Sequence, residues 1–353
     1  MPPSERDQRG GAGFAGTGAG MRDASANGRS LLEVEDLVVR YRVPRGLSGA
    51  LLRRPQRHVH AVSGVSLTVA RGEMVALVGE SGCGKTSTAQ AILRLVESEK
   101  GSVRFDGTEV TTLSRVDLRR LRRRMQIIYQ DPYESLDPRF RVSTTVEEPL
   151  VIHGIGSRAE RRRAVDHALE RVGLAPAELF ADRFPHELSG GQRQRVAIAA
   201  TLVLEPELLV ADEPVSMLDV SVRAGILAIL DELRRRGLAV LMITHDLSTA
   251  ARFADRVCVM YLGRIVEEGP AREVIERPRH PYTKALLSVV PRKDPRKRVD
   301  AQILRGETPN PIELPSGCRF HPRCPIAIDA CRANDPELRG VANHRAACLL
   351  AEW

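Results

Sequence analysis

Short apolar runs bounded by glycine, proline or charged residues recur along this chain. They occupy residues 74–78, 125–129, 207–211, 238–244 and 257–260. Unbroken apolar runs of this length are typical of strands buried on both faces of a parallel sheet. Residues 31–75 alternate between apolar and polar positions, which predicts antiparallel strands with one exposed face. Helices are predicted over residues 85–96 and 192–204, so the pattern as a whole predicts an α/β fold.

The end of this core is predicted near residue 270. Gly263 lies between two apolar segments and predicts the turn of a terminal hairpin between Met260 and Val266. The longest apolar runs, such as residues 238–243, are far shorter than the roughly eighteen residues that a membrane-spanning helix needs. No membrane span is therefore predicted.

A glycine-rich loop joins the strand at 74–78 to the helix predicted at 85–96. It reads Gly-Glu-Ser-Gly-Cys-Gly-Lys-Thr from Gly79 to Thr86. In this context a helix start offers free amides and a positive dipole end to a triphosphate. We expect Lys85 to reach the β- and γ-phosphates and the Thr86 hydroxyl to bind Mg²⁺.

Two adjacent carboxylates end the apolar strand that starts at residue 207. Neighbouring residues of a strand point to opposite faces, so the two acids can have different tasks. We expect Asp212 to hold Mg²⁺ and Glu213 to act as general base toward water. The run at 238–244 ends before His245. A histidine at a strand end is usually structural, but its place after the acidic pair favours a catalytic role.

Between the phosphate loop and the acidic strand the chain reads Leu-Ser-Gly-Gly-Gln over residues 188–192. Small residues directly before a predicted helix again suit an anion. A helix-capping turn is the alternative interpretation. Because the chain already has one phosphate loop, a second anion site is best explained if it serves a nucleotide held by another subunit.

Together these motifs resemble the nucleotide-binding subunit of an ABC transporter, over about residues 31–290. The resemblance implies that Gln130 touches Mg²⁺ and the attacking water, that His245 contacts the γ-phosphate, that Asp219 faces the opposite subunit, and that Tyr41 stacks on adenine. Other residues that the resemblance assigns to the nucleotide are Gly79, Ser81, Gly82, Cys83, Gly84, Lys85, Thr86, Ser87, Asp212, Ser189, Gly190, Gly191 and Gln192.

The same resemblance implies a fold and its parts. The fold is that of a P-loop NTPase, the ABC nucleotide-binding domain, with a parallel core, an antiparallel β subdomain and a helical subdomain. We predict a disordered leader at 1–30, the nucleotide-binding domain at 31–270 with its helical subdomain at about 131–193, and a cysteine-rich extension at 271–353. The basic segment 46–58 has no assigned role.

Two segments resemble the oligopeptide and dipeptide importer branch, residues 131–139 and 279–286. This implies an ATP-hydrolysing motor at the cytoplasmic face of the membrane, working with a second and different ABC ATPase, two permeases and an extracytoplasmic binding protein. Importers of nickel, glutathione or opines in the same branch are alternatives. A soluble ABC ATPase that remodels nucleic acid or ribosomes is a rival, but the second nucleotide domain or long insertion that is typical of that class is not found in the sequence.

Four of six cysteines crowd the C-terminus with the spacing C-x5-C-x6-C-x16-C. They are Cys318, Cys324, Cys331 and Cys348. Disulfides are disfavoured in a cytosolic ATPase, which leaves a four-iron four-sulfur cluster, zinc or reduced thiols. Residues 317–325 resemble the C-terminal extension of oligopeptide and dipeptide ATPases, which implies the cluster. His321 and His344 are expected to be neighbours rather than ligands. A module that senses iron through this tail is a further alternative.

The net charge of +8 could indicate a nucleic-acid partner. However, the basic residues are mostly arginines in runs such as 119–124, 158–163 and 234–236. No aromatic stacking platform accompanies these runs, so we expect solvated helix faces and no nucleic acid.

Overall fold

The structure is a computed structural model that describes residues 30–44, 56–131, 136–216, 218–289 and 306–352. The predicted leader, apart from its last residue Ser30, and most of the 46–58 segment lie outside these residues. The described strands are β1 (Leu32–Arg42), β2 (His58–Val69), β3 (Met74–Val78), β4 (Lys100–Phe105), β5 (Thr108–Glu109), β6 (Met125–Ile128), β7 (Leu208–Asp212), β8 (Ala239–Thr244), β9 (Arg256–Tyr261), β10 (Arg264–Pro270), β11 (Arg339–Val341) and β12 (His344–Ala346).

The described α-helices include two short ones that lie between strands and four that precede β7. They are α1 (Lys85–Ile92), α2 (Arg115–Arg122), α3 (Val142–Ile152), α4 (Arg158–Arg171), α5 (Glu178–Ala181) and α6 (Gly190–Leu202). The later helices are α7 (Val220–Arg235), α8 (Leu247–Phe253), α9 (Ala271–Glu276), α10 (Pro281–Ser288) and α11 (Asp329–Ala333).

The main sheet of the described residues has the order β11-β12-β10-β9-β3-β8-β7-β6. From β9 to β6 every neighbouring pair is parallel. Every residue of β3, β7 and β8 is buried, as the unbroken apolar runs predict. A second, antiparallel sheet has the order β2-β1-β4-β5. The predicted α/β core and antiparallel β element are both present.

The hairpin between β9 and β10 turns at Leu262 and Gly263, which have φ angles of 41° and 79°. Two consecutive positive φ values suit the twist of a two-residue hairpin. This hairpin does not end the sheet, contrary to the sequence prediction. In the C-terminal extension, β12 pairs with β10, placing Ala346 opposite Glu267 and Arg345 opposite Glu268. The extension is therefore part of the main sheet.

Helices α3 to α6 pack together in the region predicted as the helical subdomain. Val146 on α3, Leu169 on α4 and Ile198 on α6 are fully buried in one apolar cluster. The last helix, α6, extends to Leu202, beyond the predicted subdomain limit at about residue 193. It thereby leads the chain back to β7.

The boundaries of both predicted helices differ from the structure. Helix α1 ends at Ile92 rather than at residue 96, because Arg94 adopts a left-handed φ of 50°. Arg122 donates to the carbonyl oxygens of Leu93 and Arg94 at 3.1 and 2.7 Å, which stabilises this ending. Helix α6 begins at Gly190 and ends at Leu202, two residues before the predicted positions at both ends.

None of the helices in the described ranges is long and apolar enough to cross a membrane. The extension packs on the β9–β10 hairpin through Phe320, which is 1% exposed. Its ring centroid lies 5.2 Å from that of Tyr261, 5.4 Å from Tyr282 and 5.6 Å from His280. This aromatic cluster joins the segment around Phe320 to both the main sheet and α10.

Replacing Phe320 by alanine should loosen this attachment. Truncation of a buried phenylalanine typically costs about 3–5 kcal/mol, so we expect a lower midpoint of guanidinium denaturation. Phe140→Ala is the matched control, because Phe140 is 42% exposed. Equal midpoints for the two variants would contradict the packing role of Phe320.

Candidate functional site

The predicted site residues gather at one edge of the main sheet. Strands β3, β8, β7 and β6 are parallel neighbours, so their carboxyl ends lie at the same edge. The phosphate loop follows β3, and His245 follows β8. Asp212 ends β7 with Glu213 directly after it, and Gln130 follows β6. Ligands of open α/β sheets bind at this edge.

The phosphate loop is shaped around its glycines and Lys85. A Cβ on Gly79 would lie 2.2 Å from the carbonyl oxygen of Met260, and one on Gly84, whose φ is 109°, would lie 2.0 Å from that of Ala61. Lys85 is 6% exposed, and its Nζ donates to the carbonyl oxygens of Gly79 and Glu80 at 2.8 and 3.0 Å. The ammonium group therefore lies within the loop, where a phosphate would be held.

Helix α1 starts directly behind this loop. Its N-cap is Gly84, which has no side chain to accept from the first-turn amides. These amides and the helix dipole remain available to an anion. Within the loop, Ser81 and Gly82 are exposed, whereas Cys83 is buried and burial raises the pKa of its thiol. The Cys83 side chain packs in the core, and the contact of this loop position with the nucleotide stays a prediction.

Asp212 and Thr86 fit a bound Mg²⁺ ion. Asp212 is 3% exposed, and its Oδ1 is buried without a hydrogen-bond partner. Burial raises the pKa of Asp212, while a hydrogen bond from the Thr86 hydroxyl acts in the opposite direction. An orphaned, buried carboxylate oxygen beside a hydroxyl is the type of oxygen donor set that Mg²⁺ prefers.

Glu213 lies between the other two residues that were predicted to be catalytic. Its Oε2 accepts from Gln130 Nε2 at 3.1 Å, and its Oε1 lies 3.1 Å from His245 Nδ1. The Glu213 side chain is 14% exposed and that of His245 is 58% exposed. The structure thus brings the three side chains together, and their catalytic roles stay predictions.

The Leu-Ser-Gly-Gly-Gln segment forms the N-terminus of α6. Ser189 is the N-cap: its Oγ accepts from the Gln192 amide at 3.3 Å, and its own amide donates to Gln192 Oε1 at 3.0 Å. The helix-capping interpretation is therefore correct as a local description. Ser189 is exposed, and a Cβ on Gly190 would meet no atom within 4 Å. Gly191 packs closely, because its Cβ would lie 2.4 Å from Val222 Cγ1.

Two further predicted residues have distinct surroundings. Asp219 is exposed at the start of α7 and makes no side-chain capping hydrogen bond there. Tyr41 is partly buried, and its hydroxyl donates to Ser87 Oγ on α1 at 3.2 Å. The structure therefore brings Tyr41 beside the phosphate-loop helix, which is consistent with a nucleotide contact.

Sequence reasoning missed the contacts of Tyr282 and Arg323 with the phosphate loop. The Tyr282 hydroxyl accepts from the Glu80 amide at 2.9 Å, and Arg323 pairs with the Glu80 carboxylate at 2.8 Å. Tyr282 and Arg323 belong to the segments 279–286 and 317–325, which the sequence marked only by family resemblance. No periodicity or spacing in the sequence indicated these contacts.

The side chains of the four tail cysteines, all within the described residues, are not arranged as a metal site. The Cys318 amide donates to the Cys331 carbonyl oxygen at 2.8 Å. Burial raises the pKa of Cys318 to about 11. Within the described ranges, no group of three or more His, Cys, Asp or Glu side chains is placed to hold a metal ion.

The two histidines near the tail have other partners. His344 Nε2 lies 2.7 Å from Glu267 Oε1, and His321 Nδ1 lies 2.9 Å from the Cys318 carbonyl oxygen. The cluster and the zinc alternative gain no support from the described side-chain positions. Burial, which raises the pKa of Cys318, also opposes the loss of the proton that metal binding requires.

Two family models match the chain. The model described as ABC transporter matches residues 62–216, which include the phosphate loop, the Leu-Ser-Gly-Gly-Gln segment and the acidic pair. The model described as oligopeptide/dipeptide transporter, C-terminal region, matches residues 266–331. The second match includes Tyr282, Arg323 and three of the four tail cysteines.

Relatives and solved structures agree with these matches. An oligopeptide transport ATP-binding protein, AppF of Bacillus subtilis, is 42% identical over 92% of this chain and 99% of its own length. A putative peptide import ATP-binding protein of Brucella ovis is 51% identical over 81% of this chain and 90% of its own. The dimeric ATP-binding cassette MJ0796, bound to ADP and Pi, superposes with a TM-score of 0.60 at 29% identity, covering 68% of this chain and 99% of that one. The predicted fold class is thereby confirmed, and the chain belongs to the ABC transporter family as an ATP-binding protein that carries the oligopeptide/dipeptide transporter C-terminal region.

Proposed function

We propose that this protein is the ATP-hydrolysing motor subunit of a peptide importer. The observation that carries the proposal is the contact of Glu213 with both Gln130 and His245, beside a phosphate loop at the same sheet edge. A carboxylate held by two polar side chains next to a triphosphate site suits general-base activation of water.

Each residue of the site has a task in this reaction. The loop from Gly79 to Lys85 would bind the triphosphate of the substrate ATP through backbone amides and the Lys85 ammonium. Glu213 would take a proton from the attacking water, while Gln130 and His245 hold its carboxylate in place. Thr86, Asp212 and Gln130 would hold Mg²⁺, which neutralises charge on the transferred phosphate.

The second anion site supports a dimer. Ser189, the N-cap of α6, and Asp219 are exposed, and a Cβ on Gly190 would meet no atom within 4 Å. The cassette MJ0796 bound to ADP and Pi is itself dimeric. We propose that ATP on one subunit is completed by residues 188–192 of a second subunit. The family resemblance supports a different ABC ATPase as this second subunit.

Peptides are the proposed solute because of the C-terminal region and the names of the relatives. The relatives from Bacillus subtilis and Brucella ovis are named for oligopeptide transport and peptide import. A relative from Pectobacterium atrosepticum, 49% identical over 81% of this chain, is named for glutathione import. Glutathione is itself a small peptide, so the two names describe related solutes. In such an importer the motor would lie peripherally at the cytoplasmic face of the membrane, in contact with two permeases. An extracytoplasmic binding protein would deliver the solute to these permeases.

We further propose that the four tail thiols hold a four-iron four-sulfur cluster. The support is the resemblance of residues 317–325 to the family extension and the hydrogen bond from the Cys318 amide to the Cys331 carbonyl oxygen. Because the described positions form no ready ligand group, the thiols would have to rearrange to bind the cluster. No step of ATP hydrolysis is assigned to this cluster.

Replacement of Glu213 by glutamine tests the proposed base. Glutamine keeps the hydrogen-bonding shape but cannot accept a proton, so ATP should still bind and the rate of hydrolysis should fall by about 10²- to 10⁴-fold. The variant should accumulate as an ATP-bound dimer in size-exclusion chromatography. Glu205→Gln, at an exposed acid just before β7, is the control and should hydrolyse ATP like the wild type. Wild-type turnover in Glu213→Gln would remove Glu213 from the mechanism.

Replacement of Gly190 by aspartate tests the composite site. A Cβ at this position meets nothing within the subunit, and an acid in the first turn of α6 suits the helix dipole, so the monomer should stay folded. The new charge should repel the ATP of the partner subunit. We expect unchanged ATP binding by the monomer, an unchanged melting temperature, and loss of both dimerisation and hydrolysis. Normal hydrolysis would show that residues 188–192 do not face a partner's nucleotide.

Iron and sulfide analysis tests the cluster. Protein purified without oxygen should be coloured and should contain about four irons and four sulfides per chain, the composition of a four-iron four-sulfur cluster. Replacing Cys331 and Cys348 together by serine should abolish both signals, whereas Cys258→Ser, at a buried cysteine in β9, should not. A colourless wild-type protein without iron would end the proposal.

A further inference from the structure

Three groups from the C-terminal part of the chain converge on Glu80, the second residue of the phosphate loop. The Tyr282 hydroxyl accepts from the Glu80 amide at 2.9 Å. Arg323 donates from Nη1 to Glu80 Oε2 at 2.8 Å and from Nη2 to Oε1 at 3.3 Å. The Thr308 hydroxyl donates to Oε2 at 2.7 Å. Both the backbone and the side chain of Glu80 are therefore held from outside the loop.

The ion pair between Arg323 and Glu80 is shielded from water. The Arg323 side chain is 9% exposed and that of Glu80 is 26% exposed. The pair is bidentate, which adds strength and fixes orientation. Such a pair is much more sensitive to loss of one partner than an exposed pair, because the remaining charge is left without compensation.

Arg323 is held in place by the packing of its own segment. It ends a short 3-10 turn, His321–Arg323, directly after the buried Phe320. Its guanidinium carbon lies 6.0 Å from the ring centroid of Tyr261. The extension thus presents Arg323 to the loop from a rigid base.

The charge of Glu80 is unfavourable for the loop's proposed ligand. Glu80 follows Gly79, and its carbonyl oxygen accepts from the Lys85 ammonium at 3.0 Å. An uncompensated carboxylate here would repel a triphosphate that Lys85 attracts. Arg323 supplies the compensating charge, and it comes from the extension rather than from the nucleotide-binding core.

We propose that Arg323 is a positioning residue for nucleotide binding, through which the C-terminal extension sets the affinity of the phosphate loop for ATP. Arg323 neutralises and orients Glu80, while Tyr282 holds the Glu80 amide away from the phosphates. The inference rests on the proposed ATP site and adds that the site is incomplete without the extension.

The coupling is reciprocal. If attachment of the extension strengthens ATP binding, ATP must strengthen attachment of the extension by the same factor. Hydrogen exchange of the amides in residues 306–352 should therefore slow when Mg·ATP is added to the full chain. This slowing should be absent from a variant in which the ion pair is broken.

The test uses Arg323→Gln, Glu80→Gln and the double variant in the full-length protein. Binding of Mg·ATP is measured by isothermal titration calorimetry, and steady-state hydrolysis gives kcat and KM. Arg323→Gln should raise Kd and KM by about tenfold, the factor that roughly 1.4 kcal/mol produces, with kcat within about twofold of wild type. The double variant should return both constants to within about twofold of wild type, because it no longer carries an unpaired carboxylate.

Arg264→Gln is the matched control. Arg264 also pairs with an acid of the extension, Asp335, and this pair includes no residue of the phosphate loop. The variant should bind ATP like the wild type. Wild-type affinity in Arg323→Gln, or failure of Glu80→Gln to rescue it, would overturn the inference while leaving the proposed function intact. If the wild type itself fails to bind Mg·ATP, the proposed function is wrong and the inference falls with it.

Discussion

The parallel pairing of β3 with β8 and β9 is the constraint on which the rest of the structure depends. All five residues of β3 are buried, so each backbone group must find its partner in a neighbouring strand. Parallel pairing then fixes the direction of every neighbour through β7 to β6. As a consequence, side chains from four segments that are far apart in the sequence meet at one edge of the main sheet. Glu213 and Gln130 are 83 residues apart, yet their side chains form a hydrogen bond.

The proposed base lies at a strained backbone position. Glu213 has a left-handed φ of 47° although it is not glycine, a conformation that typically costs about 1–3 kcal/mol. Its surroundings compensate for this cost: its amide donates to the Ile243 carbonyl oxygen at 2.9 Å, and its own carbonyl oxygen accepts from the Ser216 hydroxyl at 3.1 Å. The chain turns sharply after β7 for this reason, and the turn directs the Glu213 carboxylate toward Gln130 and His245.

Most of the core and the site could be predicted from the sequence, because both depend on local signals. Apolar runs in the sequence indicated β3, β7 and β8. Each run leads directly into a part of the candidate site: the phosphate loop, the acidic pair and His245. The boundaries of α1 and α6 that were predicted wrongly depended on weaker signals. The left-handed Arg94 is stabilised by Arg122 from another helix, and the start of α6 was set by the capping exchange between Ser189 and Gln192. Strands β11 and β12, with three residues each, are too short to show a period. Their place in the sheet follows from tertiary packing alone.

Arginine has a structural role in this chain that its runs in the sequence do not reveal. Arg124 pairs with Glu207 and Asp106, which ties the start of β7 to the antiparallel sheet. Arg234 pairs with Asp231 and Asp255 and so joins α7 to the segment before β9. The planar guanidinium can bridge two acids at once, which a lysine ammonium does less well. The positive charge of an arginine paired in this way is compensated locally by the carboxylates that it binds. Arg323 follows the same pattern, but the acid that it binds lies in the phosphate loop, so there the bridge acts on the site as well as on the fold.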